Sequence, residues 1–296
     1  MNRASANLLL VVTGAIWGGG FIAQATAMES IGPVLFTGMR FLAAAFAVLP
    51  FAAIEARRAG LPLVPAPREW TRYGLLGGLL FSSLAVQQIG LLTTTVTNAG
   101  FLTGLYVVLT PIAGIAFFRH WPHPVIWPAA LLALAGIFLL SGGRLDGLAA
   151  GDGWMVLCAV LWACHVQVLG RFAASARPLQ LACAQFFVCA AIGLALAPAV
   201  EPVALPMIAA SAGEILFAGV VSGGLAFTIQ VIAQRHTTAP QAAIFMASEA
   251  LFAALFGALL LGERMGPVGF LGCGLIFAAM LSVEILPMLR PAKQVS

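Results

Sequence analysis

IGPVLFTGMRFLAAAFAVLPFAAI, residues 31–54, carries a single charge, Arg40, in a run of otherwise apolar and small residues. About 20 apolar residues at 1.5 Å rise cross about 30 Å of hydrocarbon, so this segment reads as a membrane-spanning helix. The same reading extends in both directions. Apolar stretches over 7–27, 31–54, 70–90, 95–118, 124–142, 152–171, 178–198, 211–234, 239–262 and 266–286 fill almost the whole of a 296-residue chain. The expectation is an all-α integral membrane protein of ten transmembrane helices, with no room for a soluble catalytic domain. Only 8% of the residues are charged, against about 25% in a soluble domain, too few to cover a water-facing surface.

The placement of the basic residues sets the orientation. With the N-terminus in the cytoplasm, the cytoplasmic segments hold Arg3, Arg57, Arg58, Arg68, Arg72, Arg119, Arg171, Arg177, Arg235, Arg290 and Lys293, and the opposite side holds Arg144 and Arg264. Both termini then come out cytoplasmic, and a missed or extra helix would scramble the alternation. The net charge of +4 follows from this bias and does not point to nucleic acid. Arg3, the apolar run from Leu8 and Ala25-Thr26-Ala27 resemble a secretory signal, but the run is long for a signal core and has a counterpart later in the chain, so it is expected to stay.

Small residues let helices approach closely in lipid. Gly14-x-x-x-Gly18, Gly100-x-x-x-Gly104 and Gly219-x-x-x-Gly223 fit that use. The five cysteines (Cys158, Cys164, Cys183, Cys189 and Cys273) all lie in apolar spans without a Cys-x-x-Cys pair. They read as small buried residues rather than as a disulfide framework or metal site.

The chain repeats itself. Trp17 matches Trp162, Pro33 matches Pro178 and Arg40 stands opposite Gln185, all 145 residues apart; Thr94-Thr95 matches Thr237-Thr238 and Pro124-Val125 matches Pro267-Val268, 143 apart. Two units follow, 1–145 and 146–296. Five spans are an odd number, so the second unit enters the membrane upside down. Inverted repeats of this kind place a substrate site at their interface and support alternating access.

The first-helix Gly14-Ala15-Ile16-Trp17-Gly18, the second-helix Gly32-Pro33 followed by Arg40-Phe41, and the ninth-helix ending Leu261-Gly262-Glu263-Arg264 resemble the EamA-type members of the drug/metabolite transporter superfamily. The likeness covers about residues 5–290. It implies a bacterial inner-membrane exporter of small metabolites, commonly amino acids, and is nearest to aromatic amino-acid exporters of the YddG type. Two positions depart from the pattern: His120 stands where the first half would match Glu263, and Ser248-Glu249-Ala250 stands where many relatives have a Glu-Pro pair.

Polar groups inside a membrane are costly, so each is a functional candidate. Arg40 lies near the middle of its span, where a charge costs at least about 2.5–3.5 kcal/mol. It reads as an anchor for a substrate carboxylate or as part of a structural ion pair. Glu249 lies near the middle of the ninth span and has three readings: partner for a substrate ammonium group, proton carrier, or partner of Arg40. Trp17, Phe21 and Gln24 share one face of the first span, and Trp162 and His165 share a face of the sixth. The two indoles are expected on opposite sides of a central cavity, offering flat apolar walls, or else as interhelix packing. Gln87, Tyr106, His165 and Gln230 are the neutral candidates for substrate contact, with interhelix hydrogen bonding as the alternative. Gln24, Gln88 and Gln234 are placed nearer the helix ends.

No Gly-x-x-x-x-Gly-Lys loop for ATP, His-Glu-x-x-His motif or paired carboxylates occur, so enzymatic chemistry is not expected and gradients must supply the energy. The expected partners are a small-molecule substrate and the lipid bilayer, with no nucleic acid and no cofactor, for a monomer or weak homodimer. The expected role is a carrier exporting amino acids or related metabolites, with helices one, three, four, six, eight and nine lining the site. The alternative is a proton-coupled antiporter of lipophilic drugs.

Overall fold

The computed structural model describes residues 1–94, 96–143, 149–261 and 266–289. Thr95, Arg144, Gly262-Glu263-Arg264, Arg290 and Lys293, with the side chain of Phe21, lie outside the described residues. The first half comprises α1 (Arg3–Ala27), α2 (Pro33–Ala59), α3 (Pro67–Leu91), α4 (Val96–Gly104), α5 (Tyr106–Phe118) and α6 (Ile126–Leu140). The second comprises α7 (Ala150–Ala173), α8 (Pro178–Val200), α9 (Leu205–Ala210), α10 (Ala212–Leu216), a π-helical segment (Phe217–Phe227), α11 (Thr228–Gln234), α12 (Ala239–Met246), α13 (Ser248–Leu261) and α14 (Pro267–Leu289). No strand occurs among the described residues.

In hydrocarbon every backbone N–H and C=O must find a partner within the protein, which leaves the helix as the spanning form for such a chain. Among the described residues, eight helical stretches are long and apolar enough to cross a membrane: Pro33–Ala59, Pro67–Leu91, Asn98–Phe118, Ala150–Ala173, Pro178–Val200, Ala212–Gln234, Ala239–Phe256 and Pro267–Pro287. The chain is a multi-pass membrane protein. The expected spans 7–27 and 124–142 fall on α1 and on the shorter apolar helix α6. Prolines open α2, α3, α8, α12 and α14, where the missing N–H is one a helix start does not use.

Three expected spans are not uniform. The fourth is interrupted at Leu105 and the ninth at Ala247, two positions 142 residues apart. At each break a tighter three-residue hydrogen bond intervenes, Leu105 N–H to Leu102 O (3.3 Å) and Ala250 N–H to Ala247 O (3.2 Å). The eighth contains the π-helical segment, whose wider turn holds Gly219, Gly223 and Gly224. π turns inside helices occur frequently at functional sites.

Antiparallel α2 and α8 pack along each other, and α6 packs on α14. α1 lies against α13 and against the π segment with α11, while α7 lies against α4 with α5 and against α3. α2 meets the π segment and α8 meets α3. These pairings map onto one another when positions are advanced by 145 or 143 residues. Two backbone approaches are related in a similar way, with the glycines 142 apart and the carbonyls they face 145 apart. A Cβ at Gly77 would sit 2.7 Å from Gln185 O, and one at Gly219 would sit 2.6 Å from Arg40 O. Capping is reciprocal as well. Glu55, near the end of α2, accepts from Leu179 N (3.2 Å) and Gln180 N (2.9 Å) at the start of α8. Glu201, at the end of α8, accepts from Val34 N (3.2 Å) and from Leu35 N at the start of α2. Each carboxylate satisfies free N–H groups and faces the positive end of a helix dipole.

Two of the three glycine pairs act as expected. Cβ atoms at Gly14 and Gly18 would fall 2.9 and 2.6 Å from the backbone of Glu249 on α13, and Gly219 and Gly223 abut α2. Gly100 does not, because a Cβ there meets nothing within 4 Å, and Gly104 faces only the Ile137 side chain. At the α6–α14 crossing, a Cβ at Gly136 would lie 2.7 Å from Gly272 O and one at Gly272 would lie 2.6 Å from Gly136 O. Gly136→Val is therefore expected to destabilise the protein by about 1–3 kcal/mol through overpacking. Gly74→Ala, whose Cβ meets nothing within 4 Å, is expected to be near neutral. Thermal unfolding in detergent measures both, and equal shifts would show that the α6–α14 crossing does not depend on backbone contact.

Candidate functional site

A cavity with about 480 Å³ of empty volume lies between α1, α2, α3, α4, α7, the π segment and α13. The second span was not among the expected lining helices, yet it supplies Arg40. That guanidinium is 3% exposed. Its Nη1 donates to Gln24 Oε1 at 2.8 Å, and its carbon lies 5.3 and 5.2 Å from the ring centres of Phe36 and Phe41. The Nε and Nη2 donors are buried without a hydrogen-bond partner among the described residues. Gln24, expected near a helix end, instead holds the cation and lines the cavity. Seven residues of α1, about two turns, carry it past Trp17 to the level of Arg40, so its depth follows from the helix length beyond the indole.

Glu249 enters the cavity from the first turn of α13, directly after the break at Ala247. It does not pair with Arg40: the ion pair found among the described residues is Arg3 with Glu284, at 3.7 Å. The cavity thus contains a cation and a carboxylate that leave each other free.

The apolar wall is an aromatic cluster. Trp17 and Trp162 meet edge to face, with ring centres 5.6 Å apart, and Phe227 lies 4.8 Å from Trp17 and 5.6 Å from Trp162. The two indoles therefore touch each other instead of facing across the cavity. Phe227 of the π segment packs against both rings and completes the cluster. Trp17 Nε1 donates to Ser222 O at 3.1 Å, so the π segment fixes that indole.

Of the eight residues singled out from the sequence, Trp17, Arg40, Gln87, Trp162 and Glu249 line the cavity together. The other three stand behind it. His165 stacks on Trp162 (ring centres 5.0 Å apart) and shares a hydrogen bond with Gln185 Oε1 at 3.2 Å. Gln230 donates to Gln234 Oε1 (3.0 Å), whose amide donates to Val166 O (3.0 Å). Tyr106 is 1% exposed, with its hydroxyl unpartnered among the described residues. The sequence reading missed Leu84, Thr103, Cys158, Ser222 and Phe227 as lining residues. Cys158 lies one turn before Trp162 on the same helix face, and that spacing was the available signal. Thr103 and Ser222 had none.

The arrangement can hold a carboxylate on the two free guanidinium donors, a cation at Glu249, and a flat or apolar group on the indoles.

The comparisons with known proteins bear on the whole chain. A model of the EamA-like transporter family matches residues 4–142 and again 149–284. An uncharacterized transporter of Archaeoglobus fulgidus is 28% identical over 295 residues, covering 96% of this chain and 87% of that protein. The uncharacterized inner membrane transporter YedA of Escherichia coli K12 is 25% identical over 288 residues, covering 95% and 90%. A crystal structure of a protein at 19% identity superposes with a TM-score of 0.81 over 97% of this chain and 99% of its own, which establishes a shared fold. With its spanning helices and two matched segments, this chain belongs to the EamA-like transporter family.

Proposed function

We propose that this transporter is a secondary carrier that exports small zwitterionic metabolites, most of all neutral and aromatic amino acids, from the cytoplasm across a bacterial inner membrane. One observation carries the reading: among the described residues Arg40 has two buried donors without a partner and Glu249 has no ion-pair partner, and both line one cavity walled by Trp17, Trp162 and Phe227. An α-amino acid supplies the two complementary charges and places its side chain on the indoles. A bare aliphatic solute would leave the Arg40 donors unsatisfied at a cost of about 1–3 kcal/mol.

The same reading takes the chain as ten spans in two inverted units, 1–145 and 146–296, with helix bundles that rock around the central cavity. Support comes from the paired offsets of 145 and 143, from the family match to each half, and from the reciprocal pairings of α2 with α8 and α6 with α14. The excess of arginine on one side places both termini in the cytoplasm. A second reading, proton-coupled antiport of lipophilic compounds, is favoured by one feature, the unpaired carboxylate of Glu249 in an aromatic cavity. There Glu249 would be essential and Arg40 less so.

Uptake of labelled aromatic amino acids into proteoliposomes tests the reading. Saturable uptake competed by other neutral amino acids is expected, and its absence with and without a pH gradient would leave the antiport reading in place. Arg40→Lys keeps the charge but loses the forked donors. It is expected to lower transport efficiency about 10- to 100-fold, the loss of one or two charge-assisted hydrogen bonds at about 1.4 kcal/mol per tenfold. Gradient-driven transport abolished by Glu249→Gln, with exchange of substrate across the membrane preserved, would identify Glu249 as the coupling group. Gln24→Leu removes the anchor of Arg40 and is expected to raise the KM for amino acids several-fold. An unchanged KM would show that Arg40 does not act through that hydrogen bond.

A further inference from the structure

Two buried polar clasps lie at opposite ends of the molecule, between the cavity and each membrane face. At the end where α1 begins, Glu284 Oε2 on α14 accepts from Asn7 Nδ2 on α1 (2.5 Å) and from Gln241 Nε2 on α12 (3.2 Å), with Arg3 Nε 3.7 Å away. At the other end, Asp152 on α7 accepts from Thr94 in the turn after α3 and from Asn98 Nδ2 on α4 (3.3 Å to Oδ2). Asn7, Asp152, Asn98 and Gln241 are 2, 6, 1 and 4% exposed.

The clasps are counterparts in sequence. Asn7 and Asp152 stand 145 apart, as do Trp17 and Trp162, and Asn98 and Gln241 stand 143 apart, as do Thr94 and Thr237. Each clasp joins the first turn of an interrupted helix to the start of the helix carrying a cavity tryptophan. Asn98 precedes the cavity residue Thr103 by five positions and Asp152 precedes Cys158 by six, about 9 Å along the helix. At the opposite end Gln241 precedes Glu249 by eight and Asn7 precedes Trp17 by ten. Parting α4 from α7 would open the cavity toward one end of the bundle, and parting α12 from α1 toward the other.

We propose that Asn7–Gln241–Glu284 and Thr94–Asn98–Asp152, whose hydrogen bonds are both made in this structure, are the two gates of the carrier, and that transport releases one at a time. The proposal rests on the alternating-access reading above. The two gates differ in one respect. The α7 gate carries its own carboxylate, whereas the α1 gate has an amide at that position and borrows its carboxylate from α14. Opening the α1 gate therefore also involves the α14 end, and the two openings are not energetically equal.

Cys158 lines the cavity and is 1% exposed, so its labelling reports which face has access. Cys164, Cys183, Cys189 and Cys273 are replaced by alanine, and a membrane-impermeant maleimide is applied to right-side-out and inside-out vesicles. Proteolysis of an N-terminal tag assigns the face on which α1 begins. Asn98→Ala and Asp152→Asn are expected to speed labelling about tenfold from the face opposite α1's start, the factor for one lost charge-assisted hydrogen bond. Asn7→Ala and Gln241→Ala are expected to do so from the face where α1 begins. Thr94→Ser keeps the hydroxyl and is expected to label as the parent does. If Asp152→Asn fails to fold, Asn98→Ala carries the test. Equal acceleration from both faces, acceleration from the wrong face, or none in folded variants would overturn the proposal. The labelling needs no substrate. Sided labelling without amino-acid uptake would keep the gates and remove the substrate reading, and uptake with unsided labelling would do the reverse.

Discussion

The contact on which the rest depends is the antiparallel crossing of α2 and α8. In lipid no hydrophobic force drives helices together, so association rests on van der Waals packing at close range. At this crossing glycine faces glycine: a Cβ at Gly193 would lie 2.7 Å from Gly38 Cα, and one at Gly38 would lie 2.9 Å from Leu194 N. The ends are then fixed by charge, with Glu55 capping α8 and Glu201 capping α2. Gly32 admits the Glu201 carboxylate to within 2.4 Å of where a Cβ would stand. A pair of helices tied at the middle and at both ends is a poor candidate for the moving part. It is well suited to hold Arg40 and Gln185 at matched depths while other helices shift around it.

That scaffold explains how a buried arginine is tolerated. One donor is taken by Gln24, two aromatic faces lie beside the guanidinium, and the remaining donors open on the cavity. The close seating of α2 on the π segment through Gly219 brings Ser222 within reach of the Trp17 indole. Placing the cation and placing the aromatic wall are thus consequences of one packing arrangement.

The sequence exposed the helices because apolar length is a strong signal in lipid, and the positions of Pro33, Pro178, Arg40 and both tryptophans exposed the site's skeleton. It did not show the breaks at Leu105 and Ala247 or the π segment, since none of these needs a distinctive residue and each follows from neighbouring packing. Gln24 was placed too far out because helix length beyond Trp17 is not readable from hydropathy. His165 and Gln230 stand outside the cavity lining for a different reason. A polar side chain in an apolar span signals a partner, but the partner of His165 is Gln185 and that of Gln230 is Gln234. The Gly100 pattern failed because composition alone generates such spacings in a chain of 32 glycines.

The matched positions also separate what repeats from what does not. Trp17 and Trp162 recur in the cavity, as do Leu84 and Phe227, 143 residues apart. The charges do not recur. Arg40 stands against Gln185, and Glu249 stands against Tyr106 at an offset of 143; neither neutral counterpart lines the cavity. One half therefore contributes the cation and the other the carboxylate, to a wall that both halves build alike. A cavity lined identically by both halves could not orient a dipolar solute. On the proposed carrier reading, the repeated residues would serve opening to either side, which needs equivalent surfaces. The unrepeated charges would serve recognition, which needs a direction, and a zwitterion bridging Arg40 and Glu249 would itself span the boundary between the two halves. Binding such a solute would draw those halves together, so the same two charges that select the substrate would favour the closed state from which either gate can open.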